Sequence, residues 1–134
     1  MSHLVMLDTN TVSGLVRNPH GRLLEQIASV GENRICVSAI AAAELRYGIR
    51  KKGSVKLERD IEAVLATLDI LPFEPPADAF YGQIRHTLTS AGTPIGPVDY
   101  FIAAHALSLG LTLVTANTGE FSRVPGLKVE NWLD

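Results

Sequence analysis

The sequence predicts an α/β fold, a three-layer α/β/α sandwich built around a mainly parallel sheet. Three observations carry that reading. Short apolar runs alternate with helical periods along the whole chain, as strand-helix units do. Those runs are apolar at successive positions, the pattern of strands covered on both faces. Residues that cap helices stand directly after two of them, at Asp8-Thr9-Asn10 and at Ser38.

The first strand covers His3–Leu7 and gives way to a helical period over Thr11–Val16. Asn18-Pro19-His20-Gly21 breaks that period, and a second helix covers Arg22–Val30. Arg34–Ser38 is a buried strand whose last residue caps the alanine-rich helix Ala39–Arg50. Lys51-Lys52-Gly53-Ser54 reads as a turn, Val55–Thr67 as a helix, and Asp69–Phe73 as a third strand before the Pro75-Pro76 turn. Ala77–Ser90 is helical, residues 91–97 form a loop, and the helix Val98–Leu109 stops at Gly110, the residue that best tolerates a left-handed cap. Leu111–Thr115 is a fourth strand, Asn117-Thr118-Gly119 a turn, and Leu127–Glu130 a short edge strand. No linker interrupts this order, so residues 1–134 read as one domain.

Composition excludes several classes of protein. With 46% hydrophobic and 19% charged residues and no low-complexity tract, the chain is not intrinsically disordered. It lacks the fixed-period repeat of a solenoid. Its apolar stretches fall well short of the roughly 20 residues needed to cross a bilayer. The start Met1-Ser2-His3-Leu4-Val5 lacks the basic region of a signal peptide, so a soluble, cytoplasmic protein without a membrane role is expected. The one cysteine, Cys36, rules out an internal disulfide and reads as a buried strand thiol between Ile35 and Val37.

The net charge of -2 is unevenly spread. Arg46, Arg50, Lys51, Lys52, Lys56 and Arg59 face only Glu58 within residues 46–59, which gives that segment +5 and leaves -7 elsewhere. Such asymmetry suits a polyanion held beside an acidic site, although a solvated helix face has the same appearance.

Open α/β sheets bind ligands beyond the carboxyl ends of their strands, and acids gather there in this chain. Asp8 follows the first strand, and Glu44 lies on the helix after the second. Asp99 opens the helix before the fourth strand, and Asn117 with Glu120 follows it. Carboxylates that converge without basic partners repel one another and lose hydration, so they point to a hard divalent cation, Mg2+ or Mn2+. Each residue also has a plainer reading: Asp8 and Asp99 as helix N-terminal acids, Asn117 as a turn residue. Two features favour a site. Thr9 and Asn10 duplicate the capping role of Asp8, and Glu44 interrupts an otherwise apolar series, Ala39–Ala43 and Leu45. The four histidines have no zinc-ligand spacing, and His105 reads as a packing or supporting residue. Neither a Gly-x-Ser-x-Gly elbow nor a phosphate-cradling glycine loop is present.

Four runs taken together resemble the PIN-domain ribonucleases, most closely the VapC toxins of bacterial toxin-antitoxin pairs. They are Met6–Asn10, Ala43–Gly48, Pro94–Asp99 with Ile102–Ala106, and Val114–Phe121. The resemblance spans essentially the whole chain. It implies a PIN-like α/β/α sandwich, usually dimeric, that cuts RNA with Mg2+ or Mn2+ and leaves a 5'-phosphate. By that resemblance Asp8 and Asp99 are metal ligands, Glu44 completes the acidic cluster and orients the attacking water, and Asn117 occupies a position where many members carry a fourth acid. Glu120 is then placed to compensate in part. Arg46, Arg50, Lys51 and Lys52 would hold flanking phosphates, while Tyr47, Tyr100 and Phe101 read mainly as packing or dimer residues. Similar toxins cut the anticodon loop of initiator tRNA. They are inhibited by a cognate VapB-like antitoxin that lies in an apolar groove and reaches the acids with a basic side chain; Leu15, Val16, Leu23, Leu24 and Ile27 are the residues expected to form that groove.

Two rival classes fit less well. A haloacid-dehalogenase-like phosphatase needs a second aspartate at position 10, where this chain has Asn10, and a receiver domain needs an acidic pair and a late lysine. A catalytically weakened PIN fold that only binds RNA or protein is the remaining alternative, and Asn117 is its main support.

Overall fold

In the computed structural model, which describes residues 3–133, five strands form one sheet in the order β3-β2-β1-β4-β5. They are β1 (Val5–Leu7), β2 (Ile35–Ser38), β3 (Asp69–Leu71), β4 (Thr112–Val114) and β5 (Val129–Glu130). Every neighbouring pair is parallel, with Met6 opposite Cys36 on one side and Leu113 on the other. The sheet is therefore wholly rather than mainly parallel. Met1, Ser2 and Asp134 lie outside the described residues.

Chain order and the right-handed crossover rule together set the layers. The steps from β1 to β2 and β2 to β3 run one way, and those from β3 to β4 and β4 to β5 run the other. Helices α1 (Thr9–Arg17), α2 (Arg22–Val30), α3 (Ala39–Lys52) and α4 (Val55–Leu65) accordingly cover one face, where α1, α3 and α4 pack together. Helices α5 (Ala77–Ser90), α6 (Pro97–Ser108) and α7 (Thr118–Phe121) cover the other, with α5 lying along α6. The core is the apolar sheet itself: Met6, Leu7, Ile35, Val37, Leu113 and Val114 are buried, and so is the Cys36 thiol, which burial pushes up to about 12. Among the described residues no helix is long and apolar enough to cross a membrane.

Four of the boundaries that differ from expectation have plain physical reasons. Helix α1 starts at Thr9 because Asp8 itself is the cap. Lys51 and Lys52 continue α3 instead of turning, since Gly53, at φ 66°, is the residue that ends it. Strand β3 stops at Leu71, because Pro72 has no N–H to add to a ladder. Asn117-Thr118-Gly119 is no free turn but the start of α7, with Asn117 at its N-cap.

Candidate active site

Strands β1 and β4 are neighbours at the middle of the sheet, so the residues that follow them meet. Asp8 is held by two donors. Its Oδ1 accepts the Thr11 N–H at 2.8 Å, capping α1, and its Oδ2 accepts the Thr115 hydroxyl at 2.5 Å. The capping reading of this residue holds; the cap uses one oxygen, and Thr115 orients the other. The Thr115 oxygen in turn accepts the Asn117 backbone N–H at 2.9 Å, tying the chain after β4 to the carboxylate after β1.

Glu44 stands in the second turn of α3, half-buried, where the Thr9 hydroxyl donates to its Oε1 at 2.5 Å. Asp99 lies in the first turn of α6, two residues after a proline well suited to a helix start. Asp8, Thr9, Asn10, Glu44, Asp99 and Ile102 line one pocket of about 110 Å3. Three of the acids predicted for the site thus share a single cavity.

Glu120 completes the cluster from α7. Its Oε1 accepts the Gly96 N–H at 2.5 Å and its Oε2 accepts the Asn117 amide at 2.7 Å, and it stands near enough to Asp99 to raise that carboxyl. The approach is close enough that a Cβ at Gly96 would sit 2.9 Å from Asp99 Oδ2 and force that carboxylate to shift. Burial, the hydrogen bond with Glu120 and the charges of Glu120, Glu44 and Asp8 push the Asp99 carboxyl up to about 7. Glu120 moves the other way, held below the usual range by the same hydrogen bond and by the Gly96 N–H. Of the two, Asp99 is the one that holds a proton to higher pH.

This donor set fits a hard divalent cation. It offers carboxylate and hydroxyl oxygens with no sulfur or imidazole, and its repulsion is unrelieved by any nearby cationic side chain within the pocket. Among the described residues no three such side chains already converge at ligating distance. Mg2+ commonly binds through one or two carboxylates and keeps its other waters, which is what Asp8 and Asp99 beside an open cavity can provide.

A family model described as the PIN domain matches residues 5–127. The chain belongs to the PIN domain family. It is 40% identical over 130 residues to a Salmonella typhimurium protein named tRNA(fMet)-specific endonuclease VapC, covering 95% of this chain and 96% of the relative. It is 42% identical over 133 residues to Ribonuclease VapC2 of Haemophilus influenzae, covering 96% of this chain and 97% of that one. Among solved structures, DNA-bound VapBC from Salmonella typhimurium superposes with a TM-score of 0.88 at 39% identity, covering 97% of this chain and 98% of the other. FitAcB from Neisseria gonorrhoeae gives 0.81 at 35% identity, with coverages of 96% and 97%.

Asn117 of this PIN domain is exposed and sits beside the acids as a donor to Glu120. Arg50, Lys51 and Lys52 form the exposed last turn of α3, but Arg46 is drawn aside: its Nε and Nη2 each donate to Glu62 at 3.0 Å. Leu15, Val16, Leu24 and Ile27 line a groove of about 730 Å3 with α4, whereas Leu23 turns into the core at 3% exposure. Tyr100 is buried, its hydroxyl accepting the Ile95 N–H, and Phe101 stacks on Tyr81; Tyr47, at 67% exposure, packs in no core. His105 is buried, with Nδ1 2.8 Å from the Ser38 hydroxyl that caps α3. The contacts of Thr9, read only as a cap, and of Thr115 and Gly96 escaped the sequence; a threonine two residues beyond β1 and another directly beyond β4 were the available signal.

Proposed function

We propose that this PIN domain is a Mg2+- or Mn2+-dependent endoribonuclease and the toxin of a toxin-antitoxin pair. The observation that carries the reading is the shared pocket of Asp8, Glu44 and Asp99, where burial and the neighbouring carboxylates raise the Asp99 carboxyl. The relatives named endonuclease and ribonuclease VapC support the same activity.

Asp8 and Asp99 would hold the ion, Asp8 through the oxygen that Thr115 orients. When bound, a divalent cation supplies charge neutralisation at the scissile phosphate and acidifies water to a near-neutral pKa. Glu44, fixed through Oε1 by Thr9, orients the attacking water with its other oxygen and takes its proton. Glu120 buffers the Asp99 proton, and Asn117 holds Glu120 in place. Arg50, Lys51 and Lys52 bind flanking phosphates.

The substrate is RNA, and the relative named tRNA(fMet)-specific endonuclease makes the anticodon loop of initiator tRNA the first to try. The partner is a VapB-like antitoxin whose apolar segment covers the 730 Å3 groove, in an assembly containing a toxin homodimer. Incubation with total tRNA in Mn2+, in Mg2+ and in excess chelator, beside Asp8→Ala, tests the proposal. Metal-dependent cuts with 5'-phosphate ends, absent in the variant, are expected. RNA that binds yet stays intact would instead make this a binding module.

A further inference from the structure

A second cavity, of about 410 Å3, opens beside the acid pocket between α1 and α3. The two cavities share Thr9 and Glu44 in their walls, so whatever crosses the acids continues into this cleft. Its floor is apolar, formed by the buried Leu45 and Ile61 with Leu57 beside them. Along α3 its wall is the stripe Glu44, Gly48 and Lys52, spaced four apart on one helix face. Gly48 keeps that wall open: a Cβ built there meets nothing within 4 Å. Among the described residues Lys52 forms no ion pair, so its charge is available at the rim.

We propose that this cleft is a nucleotide subsite, taking an unpaired base of the RNA strand next to the scissile phosphate. The inference rests on the nuclease reading above and adds where the neighbouring nucleotide goes. A flat base covers the aliphatic floor of Leu45, Leu57 and Ile61 whatever its identity, removing apolar area from water, while its phosphate meets a lysine. A base inside a duplex cannot be splayed into such a cleft, so the subsite also selects loops over stems. The wide groove on the far side of α1 touches none of the acids and suits a protein segment better. Here the cationic rim favours a phosphate backbone over a basic peptide.

Gly48→Leu fills the cleft from its open wall. Because the added atoms point into empty space and glycine is a poor mid-helix residue, the variant keeps its fold; an unchanged or raised Tm checks this. Binding is read first in chelator, from the fluorescence of a single-stranded RNA carrying 2-aminopurine. Gly48→Leu should weaken Kd by about 10-fold, the loss expected when one base is kept off an apolar floor. In Mn2+, the preference for that RNA over bis(p-nitrophenyl) phosphate, taken as the ratio of kcat/KM values, should fall by a similar factor, about 10-fold. Gly48→Ala, a smaller intrusion at the same open position in mid-helix, should weaken RNA binding in the same direction and serves if the leucine does not fold. Wild-type affinity and preference in Gly48→Leu would overturn the subsite. The same result with loss of antitoxin capture on coexpression would assign the cleft to the protein partner and overturn it equally. If the wild type cuts neither RNA nor the ester, the nuclease reading fails, and the binding arm in chelator still decides the cleft.

Discussion

Asp99 and Glu120 act on one another with opposite results, the Asp99 carboxyl raised to about 7 and the Glu120 carboxyl lowered. Each is anchored by its own helix: Asp99 by the first turn of α6, Glu120 by α7 and by the Gly96 N–H. Neither can retreat far into water, so the ionisation of Asp99 depends on what positive charge the pocket receives.

The metal-free protein should therefore lose stability as pH rises from about 4 to about 7. Asp99 titrates near 7 when folded against 3.8 ordinarily, so across that window the folded chain binds the extra proton and stability falls with pH. Glu120 has the opposite shift, and its contribution is lost as pH falls through its lowered value. Urea midpoints in chelator at pH 5, 6, 7 and 8 should decline up to about pH 7 and then level off, and Asp99→Asn should flatten the decline. A flat wild-type profile would show that Asp99 is ionised throughout.

Binding of Mn2+ must displace the same proton. Affinity should rise between pH 6 and pH 8, with close to one proton released per ion at pH 6 and little at pH 8. Isothermal titration in two buffers of different ionisation enthalpy measures that release directly. Release that does not change with pH would place the ion away from Asp99.

Thr115→Val tests the hydroxyl between β4 and Asp8. The shapes match, yet the change removes the donor to Asp8 Oδ2 and the acceptor of the Asn117 N–H in a fully buried position. We expect a loss of about 1–3 kcal/mol in chemical denaturation, the usual cost of leaving buried polar groups unpaired. Weaker Mn2+ binding should accompany it, because the ligand oxygen is no longer oriented. Thr115→Ser, which keeps the hydroxyl, should restore most of the metal affinity.

Asp8, Glu44 and Asp99 were legible in the sequence because each has a fixed relation to a strand end, and parallel topology turns that relation into proximity. Glu44 was legible for a further reason, as a charge breaking an apolar helix face. What stayed hidden depends on contacts between elements that no local pattern encodes. Thr115 looks like the last residue of a strand until Asp8 is set opposite it, and Gly96 looks like a loop glycine until two carboxylates close on it. The helical continuation through Lys51 and Lys52 was obscured by residues that serve helices and turns alike. The pairing of Arg46 with Glu62 joins two helices across 16 positions, beyond any spacing rule.

That pairing leads to the last prediction. Arg46 and Glu62 are both substantially exposed, so their contact contributes little to stability and serves mainly to point the guanidinium at α4. Glu62→Gln removes the carboxylate that holds it and also relieves the charge that faces Arg50. RNA affinity in chelator should then increase, and the slope of log Kobs against log salt should steepen by about 0.7 if Arg46 gains one phosphate of a single strand. Arg50→Gln should shift the slope by a similar amount in the opposite sense. A steeper slope in Glu62→Gln alone, absent from the double variant Glu62→Gln with Arg46→Gln, would assign the new contact to Arg46. If both variants keep the wild-type slope, Arg46 lies off the path of the RNA, and the phosphates are held by Arg50, Lys51 and Lys52 alone.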